Sequence, residues 1–275
     1  MDLADCGSPE RLLAVILQHH SAWRPPVDIE TFARTVGIID FVDLEADGFV
    51  GALQTDMEKT KGIILAAAGL SRARRRFTVS HELGHYLIPA HRGDKRCTTR
   101  DLMESRRETS HQKEEAQANR FAAGLLMPKP WFVDQVDSFG SPDINHLRIL
   151  SATYDVSQEA AGSRYAELSG EACAFVFLKD GCIRYSRTSR SFPDLAIRSG
   201  DQAPSECRDA DNARAWQDVR ASDWLKPTSA RQSDLRMQIL NQASGFQTAL
   251  LFMDGVEESE AEEDDDLVRR YTPRF

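Results

Sequence analysis

Residues 76–91 read RFTVSHELGHYLIPAH, and residues 115–128 read EAQANRFAAGLLMP. The first block contains His81-Glu82-Leu83-Gly84-His85, an H-E-x-x-H pattern in a segment of helical spacing. A helix turns about 100° per residue, so His81 and His85 lie on one face and can close on a single Zn(II) ion. Glu82, one position on, reaches a water on the same ion. The metal lowers the pKa of that water toward ~7, and Glu82 can accept its proton and pass it to a leaving amine. Val79 and Leu83 supply apolar positions off the metal face. Gly84 in mid-helix costs about 1 kcal/mol against Ala, which asks for a close-packing explanation.

A catalytic zinc site takes three protein ligands and leaves the fourth position to water. His91 stands where an extended H-E-x-x-H-x-x-G-x-x-H pattern would put a third histidine, but that pattern turns the chain at a Gly, and Ile88 occupies the position here. Glu115, on the second block, is favoured. It shares a helix face with Ala118, Asn119 and Ala122, and the small alanines allow close approach to the first helix. Asn119, one turn later, is then placed to hydrogen-bond a ligand from behind. His91, Glu114 and His111 remain as alternatives. The ligand types also accept Mn, Fe or Co.

Outward from these blocks, Leu12, Leu13, Ile16 and Leu17 mark a helix over residues 9–20, and Asp28 to Val36 a second. The β-branched runs Ile38 to Val42, Phe49 to Leu53 and Gly62 to Ala67 predict a small sheet. Residues 71–88 and 112–127 form the two motif helices, stopped by Pro89 and Pro128. The polar stretch Arg92 to Ser110 reads as a loop. Shorter helices follow at Asn145 to Tyr154 and Gln158 to Leu168. After Gly170-Glu171 the pattern becomes strands: Ala172 to Leu178, an Asp180-Gly181 turn, Cys182 to Ser186, and a closing Gln247 to Met253. The fold class is α+β, divided into 1–136, a helical segment 137–170, an α+β module 171–256 and a tail 257–275.

The chain has 275 residues, 34 basic and 43 acidic, for a formal net charge of -9. Eight of the acidic residues fall within 257–266, which contains no Lys or Arg, so the rest of the chain carries only -1. A near-neutral body gives little support to strong nonspecific nucleic-acid binding. No apolar run approaches the ~20 residues of a membrane helix, and the acidic start Met1-Asp2-Leu3-Ala4-Asp5 is unlike a secretory signal, so a cytosolic location is expected. The five cysteines form no C-x-x-C pair and are expected to be reduced and mostly structural.

The two motif blocks, together with PPVDIETFARTVGI at residues 25–38, resemble the ImmA/IrrE metallopeptidases. The resemblance implies a gluzincin-like, zincin-type metallopeptidase fold over 1–136, with His81, His85 and Glu115 as zinc ligands and Glu82 as general base. It implies an enzyme acting inside bacteria, cutting a helix-turn-helix repressor and so derepressing stress-response or mobile-element genes. The alternative is a non-proteolytic zinc protein that binds a protein partner or DNA.

The two helices around Asp155-Val156-Ser157 have the look of a helix-turn-helix, but the second carries only Arg164 as a basic residue, which favours packing or substrate docking over DNA contact. Arg72, Arg74, Arg75 and Arg76 form a solvated face or attract an acidic stretch of a substrate or of this chain's tail. Tyr86, Tyr154, Tyr165 and His146 are candidates to stabilise an oxyanion. The C-terminal module is similar in position to a sensor-like domain of the IrrE branch.

Overall fold

The computed structural model describes residues 8–45, 48–91, 95–98, 101–103, 108–208, 215–230 and 234–254. The acidic segment 257–266 lies outside them. Two compact units divide the chain. One runs to Pro128 and takes in Thr153–Ser157; the other holds residues 129–152 and those from Gln158 onward. The division thus falls at Pro128, and the helices of 137–170 lie with the second sheet except at 153–157. The fold is α+β throughout. Among the described residues no helix is long and apolar enough to cross a membrane.

In the first unit, α1 (Pro9–His19) starts with Pro at its first position and the Ser8 side chain accepting from Arg11 N at 3.2 Å. Helix α2 (Ile29–Thr35) is capped by Asp28. Four strands follow: β1 (Ile38–Leu44), β2 (Gly51–Thr55), β3 (Gly62–Ala67) and β4 (Lys95–Cys97), in the order β1-β3-β2-β4. β1 runs parallel to β3, and the other pairings are antiparallel. Strand β3 buries every second residue, the alternation that one covered face requires.

Helix α3 (Arg72–Leu87) lies against this sheet and is followed by Ile88, whose extended backbone is what a residue before Pro89 adopts. The β2–β3 hairpin finishes the helix from outside. Its Lys59, at φ +53°, sends its ammonium to the carbonyl of His85 at 2.7 Å. A cation there satisfies a last-turn carbonyl and complements the negative end of the helix dipole. Tyr86 faces the sheet instead: a Cβ on Gly37 would lie 2.4 Å from its hydroxyl oxygen, and one on Gly62 3.2 Å from its ring.

Helix α4 (Ser110–Leu126) opens with a capping box in which Thr109 and Gln112 satisfy each other's backbone N–H groups. It packs on α3 where both are thin. A Cβ on Gly84 would sit 3.2 Å from Ala118 Cα and 3.0 Å from Phe121 Cδ1, so the mid-helix glycine is the point of closest approach. The stretch read as a loop between these helices is not wholly irregular: it contributes β4 and a short turn of helix at Asp101–Met103. Three residues pairing as an edge strand leave too short a pattern to register in sequence.

The Arg cluster at the start of α3 is engaged within the unit. Arg72 and Arg76 reach Asp155 at 2.6 and 3.3 Å, and Arg75 pairs with Asp43 at 3.2 Å and with Glu30. Arg76 also donates to the carbonyl of Val27 at 3.1 Å.

The second unit contains α5 (Lys129–Phe139), α6 (His146–Tyr154), α7 (Gln158–Leu168) and strands β5 (Cys173–Lys179), β6 (Cys182–Thr188), β7 (Gln217–Val219), β8 (Leu235–Asn241) and β9 (Phe246–Met253). Sequence reading passed over α5, β7 and β8. Helix α5 follows Pro128 directly, because Pro130 sits in its first turn, where the missing N–H costs nothing. The sheet is antiparallel, in the order β6-β5-β9-β8-β7. The β5–β6 turn, Asp180-Gly181, has positive φ at both residues, the primed turn that such a dipeptide favours.

Strand β5 is buried from Cys173 to Leu178 because both faces are covered. Helix α7 packs on one side, where a Cβ on Gly162 would lie 3.2 Å from Phe177. Ala174, Val176 and Leu178 join the core around Trp224 and Leu225 on the other. Arg164, the basic residue of α7, is largely buried and pairs with Glu167 at 2.8 Å.

Candidate metal centre

Helix α3 presents His81 and His85 one turn apart, α4 presents Glu115, and strand β4 presents Cys97. All four are buried, and one ligand atom from each lies within 4.8 Å of the others. Nε2 of His81 and Nε2 of His85 are 3.1 Å apart. Glu115 Oε2 lies 3.1 Å from His81 Nε2, and its Oε1 3.4 Å from His85 Nε2. Cys97 Sγ is 3.9 Å from both His85 Nε2 and Glu115 Oε2. Zinc bonds of about 2.0–2.3 Å place neighbouring corners of a tetrahedron roughly 3.3–3.6 Å apart, and each of these five separations is within a few tenths of an ångström of that spacing.

The surrounding hydrogen bonds orient the imidazoles. Asn119 donates Nδ2 to the carbonyl of Asp101 at 2.9 Å, which turns its oxygen toward His81 Nδ1 at 2.8 Å. An amide oxygen only accepts, so His81 carries its proton on Nδ1 and points Nε2 at Glu115. Behind His85, the Gln117 oxygen faces His91 Nε2 at 2.9 Å, and His91 Nδ1 faces His85 Nδ1 at 2.9 Å. The Gln117 oxygen accepts from His91, which accepts from His85, and His85 Nε2 is left free to coordinate.

The chemistry of this arrangement suits a cation. With Nδ1 already donating, the Nε2 atom of His81 meets a carboxylate oxygen, and only a proton or a metal ion between them removes the repulsion of two acceptors. Burial pushes His85 down to about 4, which favours the neutral, metal-binding imidazole. Burial alone would raise Glu115, but hydrogen bonds and the charges of His81 and His85 hold it well below the usual carboxylate range. Cys97 is pushed upward, first by burial and then by the carboxylates of Glu82 and Glu115; a dication must replace its proton for it to ligate. The donor set therefore fits a divalent metal, zinc among them.

Glu82 lies fully buried beside this group, with the Cys97 thiol as its polar neighbour and no N–H or O–H donor on either of its oxygens among the described residues. Desolvation raises it to about 7, with the charge of His81 and the Cys97 thiol opposing the shift. Gly51 makes the space: a Cβ there would fall 2.5 Å from Glu82 Oε1 and 2.6 Å from Thr78 Cγ2.

The other residues singled out in sequence have different places. His91 stands behind His85 rather than among the donors, because the chain leaves α3 through an extended Ile88 and Pro89. His111 is exposed and bonds Asp101 Oδ1 at 3.1 Å, with Nδ1 3.6 Å from Glu115 Oε1. Glu114 is half-buried and not in the donor group. Tyr165 lies in the core of the second unit between His146, half-buried itself, and Phe175, with ring centroids 6.2 and 5.5 Å away. Tyr154 is buried. Cys97 is the residue that sequence reading missed: it belongs to no C-x-x-C pair and sits in the stretch read as a loop.

Comparison with known proteins gives this geometry a context. No curated protein sequence matches the chain. A transcriptional regulator of Mycobacterium tuberculosis has a similar fold at a TM-score of 0.56 and 17% identity, over 89% of this chain and 75% of that one. The model of a peptidase family, M78, described as the IrrE N-terminal-like domain, matches residues 38–165 and so includes both motif helices. Residues 38–165 are thus similar to the IrrE N-terminal-like domain of peptidase family M78.

Proposed function

We propose that the protein is a zinc endopeptidase of the bacterial cytosol that cleaves a helix-turn-helix transcriptional repressor at a limited number of bonds. The observation that carries this reading is the buried carboxylate of Glu82 beside the converging donors His81, His85 and Glu115. A zinc ion held by these donors supplies Lewis acidity toward a peptide carbonyl and toward water. His81 and His85 are pre-oriented by Asn119 and His91, so the donors need no rearrangement to hold it. Glu82 accepts a proton from the attacking water and returns it to the leaving nitrogen, a role that its burial beside the donors suits. The family match supports a peptidase-like role, and the name of the structural relative is in keeping with a link to gene control.

The test is a Glu82→Gln protein incubated with the repressors encoded beside its gene, with and without chelator, and fragments identified by mass. The variant is expected to keep its metal and lose cleavage. Fragments that persist in the variant refute the mechanism. A second reading, a non-proteolytic zinc protein that binds a protein partner or DNA, is favoured by one observation: Cys97 brings the number of donors to four, as in structural zinc sites. Partner or DNA binding that survives Glu82→Gln, with no proteolysis by the unaltered protein, would select it.

A further inference from the structure

We propose that the second unit binds a small organic anion that also carries hydroxyl or amino groups, in a cavity of about 470 Å³ walled by Ile144, Asn145, Arg148, Gln158 and Leu240 to Gln242. The proposal is independent of the zinc-peptidase reading, since every residue of this wall belongs to the second unit. The volume falls in the range of roughly 300–1,000 Å³ that small-molecule sites occupy, and the wall has aliphatic side chains among a few polar groups, as such sites do.

Charge selects the ligand. Among the described residues Arg148 is the charged member of the wall; it is exposed and makes no ion pair with another described residue. The nearby acids already have partners. Asp143 accepts from Asn145 Nδ2 at 2.7 Å and from Gln238 Nε2 at 3.0 Å, and Glu159 accepts from the Tyr185 hydroxyl at 3.0 Å and from the Arg184 guanidinium. Helix α7 starts at Gln158, so the positive end of its dipole falls on the same wall.

The amides decide what else the ligand carries. Gln242 Nε2 donates to Gln158 Oε1 at 3.1 Å and to Thr248 Oγ1 at 3.3 Å, which leaves Gln158 with a donor and Gln242 with an acceptor. Asn145 commits Nδ2 to Asp143 and keeps its oxygen to accept. The wall therefore offers donors to an anion and acceptors to hydroxyl or amino hydrogens.

The wall is also held in place before a ligand arrives. Gln238 of β8, 1% exposed, accepts from Ile144 N at 2.8 Å while it donates to Asp143, which fastens the approach to α6 onto the sheet. The Gln242 bonds tie the end of β8 to α7 and to the buried Thr248 of β9. A site fixed in this way loses little freedom on binding.

Calorimetric titration of the full chain with L-glutamate, ribose 5-phosphate and AMP tests the site and tells a carboxylate source from a phosphate source. At least one of the three is expected to bind with one molecule per chain and to move the methyl resonances of Ile144 and Leu240. Arg148→Gln should weaken that binding about tenfold or more by removing the cation. Gln158→Glu, which sets a carboxylate against the anion, should weaken it at least as far. Far-ultraviolet circular dichroism of both variants should match the unaltered protein. If none of the three probes binds at millimolar concentration, the proposal is overturned. Binding that neither variant weakens, or that leaves both methyl resonances in place, overturns it equally.

Discussion

Replacing Glu82 by Gln in the metal-free protein should change how stability depends on pH, and the size of the change follows from burial. Desolvation carries the Glu82 carboxyl from 4.5 to about 7. At about 1.4 kcal/mol per pH unit, ionising it inside the fold costs roughly 3 kcal/mol relative to the unfolded chain. The folded state keeps the proton between pH 4.5 and 7 while the unfolded chain has lost it, so this group lowers stability progressively as pH rises through that window. His85 works in the opposite direction. Its folded value of about 4 lies below the usual 6.5, so the unfolded chain holds the extra proton and stability rises between those values. Glu115, held low, adds stability above its unfolded value and loses it as pH falls through its folded one.

In the unaltered protein the Glu82 and His85 arms largely offset each other. Glu82→Gln removes one arm only. The variant should therefore gain on the parent as pH rises, by about 3 kcal/mol between pH 4.5 and 7. Urea unfolding in chelator, followed by far-ultraviolet circular dichroism at half-unit pH steps, gives that difference directly. A difference that stays level across the window, or that shrinks as pH rises, would refute the claim that burial governs the ionisation of the Glu82 carboxyl.

Three further outcomes follow from the same contacts. Gly51→Ala places a methyl 2.5 Å from Glu82 Oε1 and 2.6 Å from Thr78, and should cost about 1–3 kcal/mol by chemical unfolding and weaken cleavage. Gly84→Leu drives a side chain into Ala118 and Phe121 at the closest approach of α3 and α4, so a competition titration with a chelator should show zinc affinity falling together with stability. His91→Leu keeps the volume but removes the acceptor for His85 Nδ1; zinc affinity should drop about 10- to 100-fold with far-ultraviolet dichroism unchanged.

Local chemistry was legible in the sequence wherever it depends on neighbours along the chain. The turn of helix that aligns His81 with His85, the proline stops after both motif helices, the caps at Ser8 and Asp28 and the Asp180-Gly181 turn all depend on residues within a few positions of one another. Alternation and β-branching marked β1, β2, β3, β5, β6 and β9 for the same reason. The three-residue strands β4 and β7 span too few positions to show a period, and β8 was masked by the polar stretch around it.

The sequence by itself determined the α+β class and the H-E-x-x-H pattern on which the proposed metal site and general base rest, because a helix fixes which residues four apart share a face. What it left open was decided by packing. Glu115 rather than His91 joins the histidines, because Gly84 and Ala118 let α4 approach closely while Ile88 and Pro89 carry His91 behind His85. Cys97 enters the centre through the pairing of β4 with β2, and the Arg72 to Arg76 cluster finds its acids in Asp155, Glu30 and Asp43. These are contacts between residues remote in the chain, and no local propensity encodes them. They exist only once the helices and strands have folded onto one another.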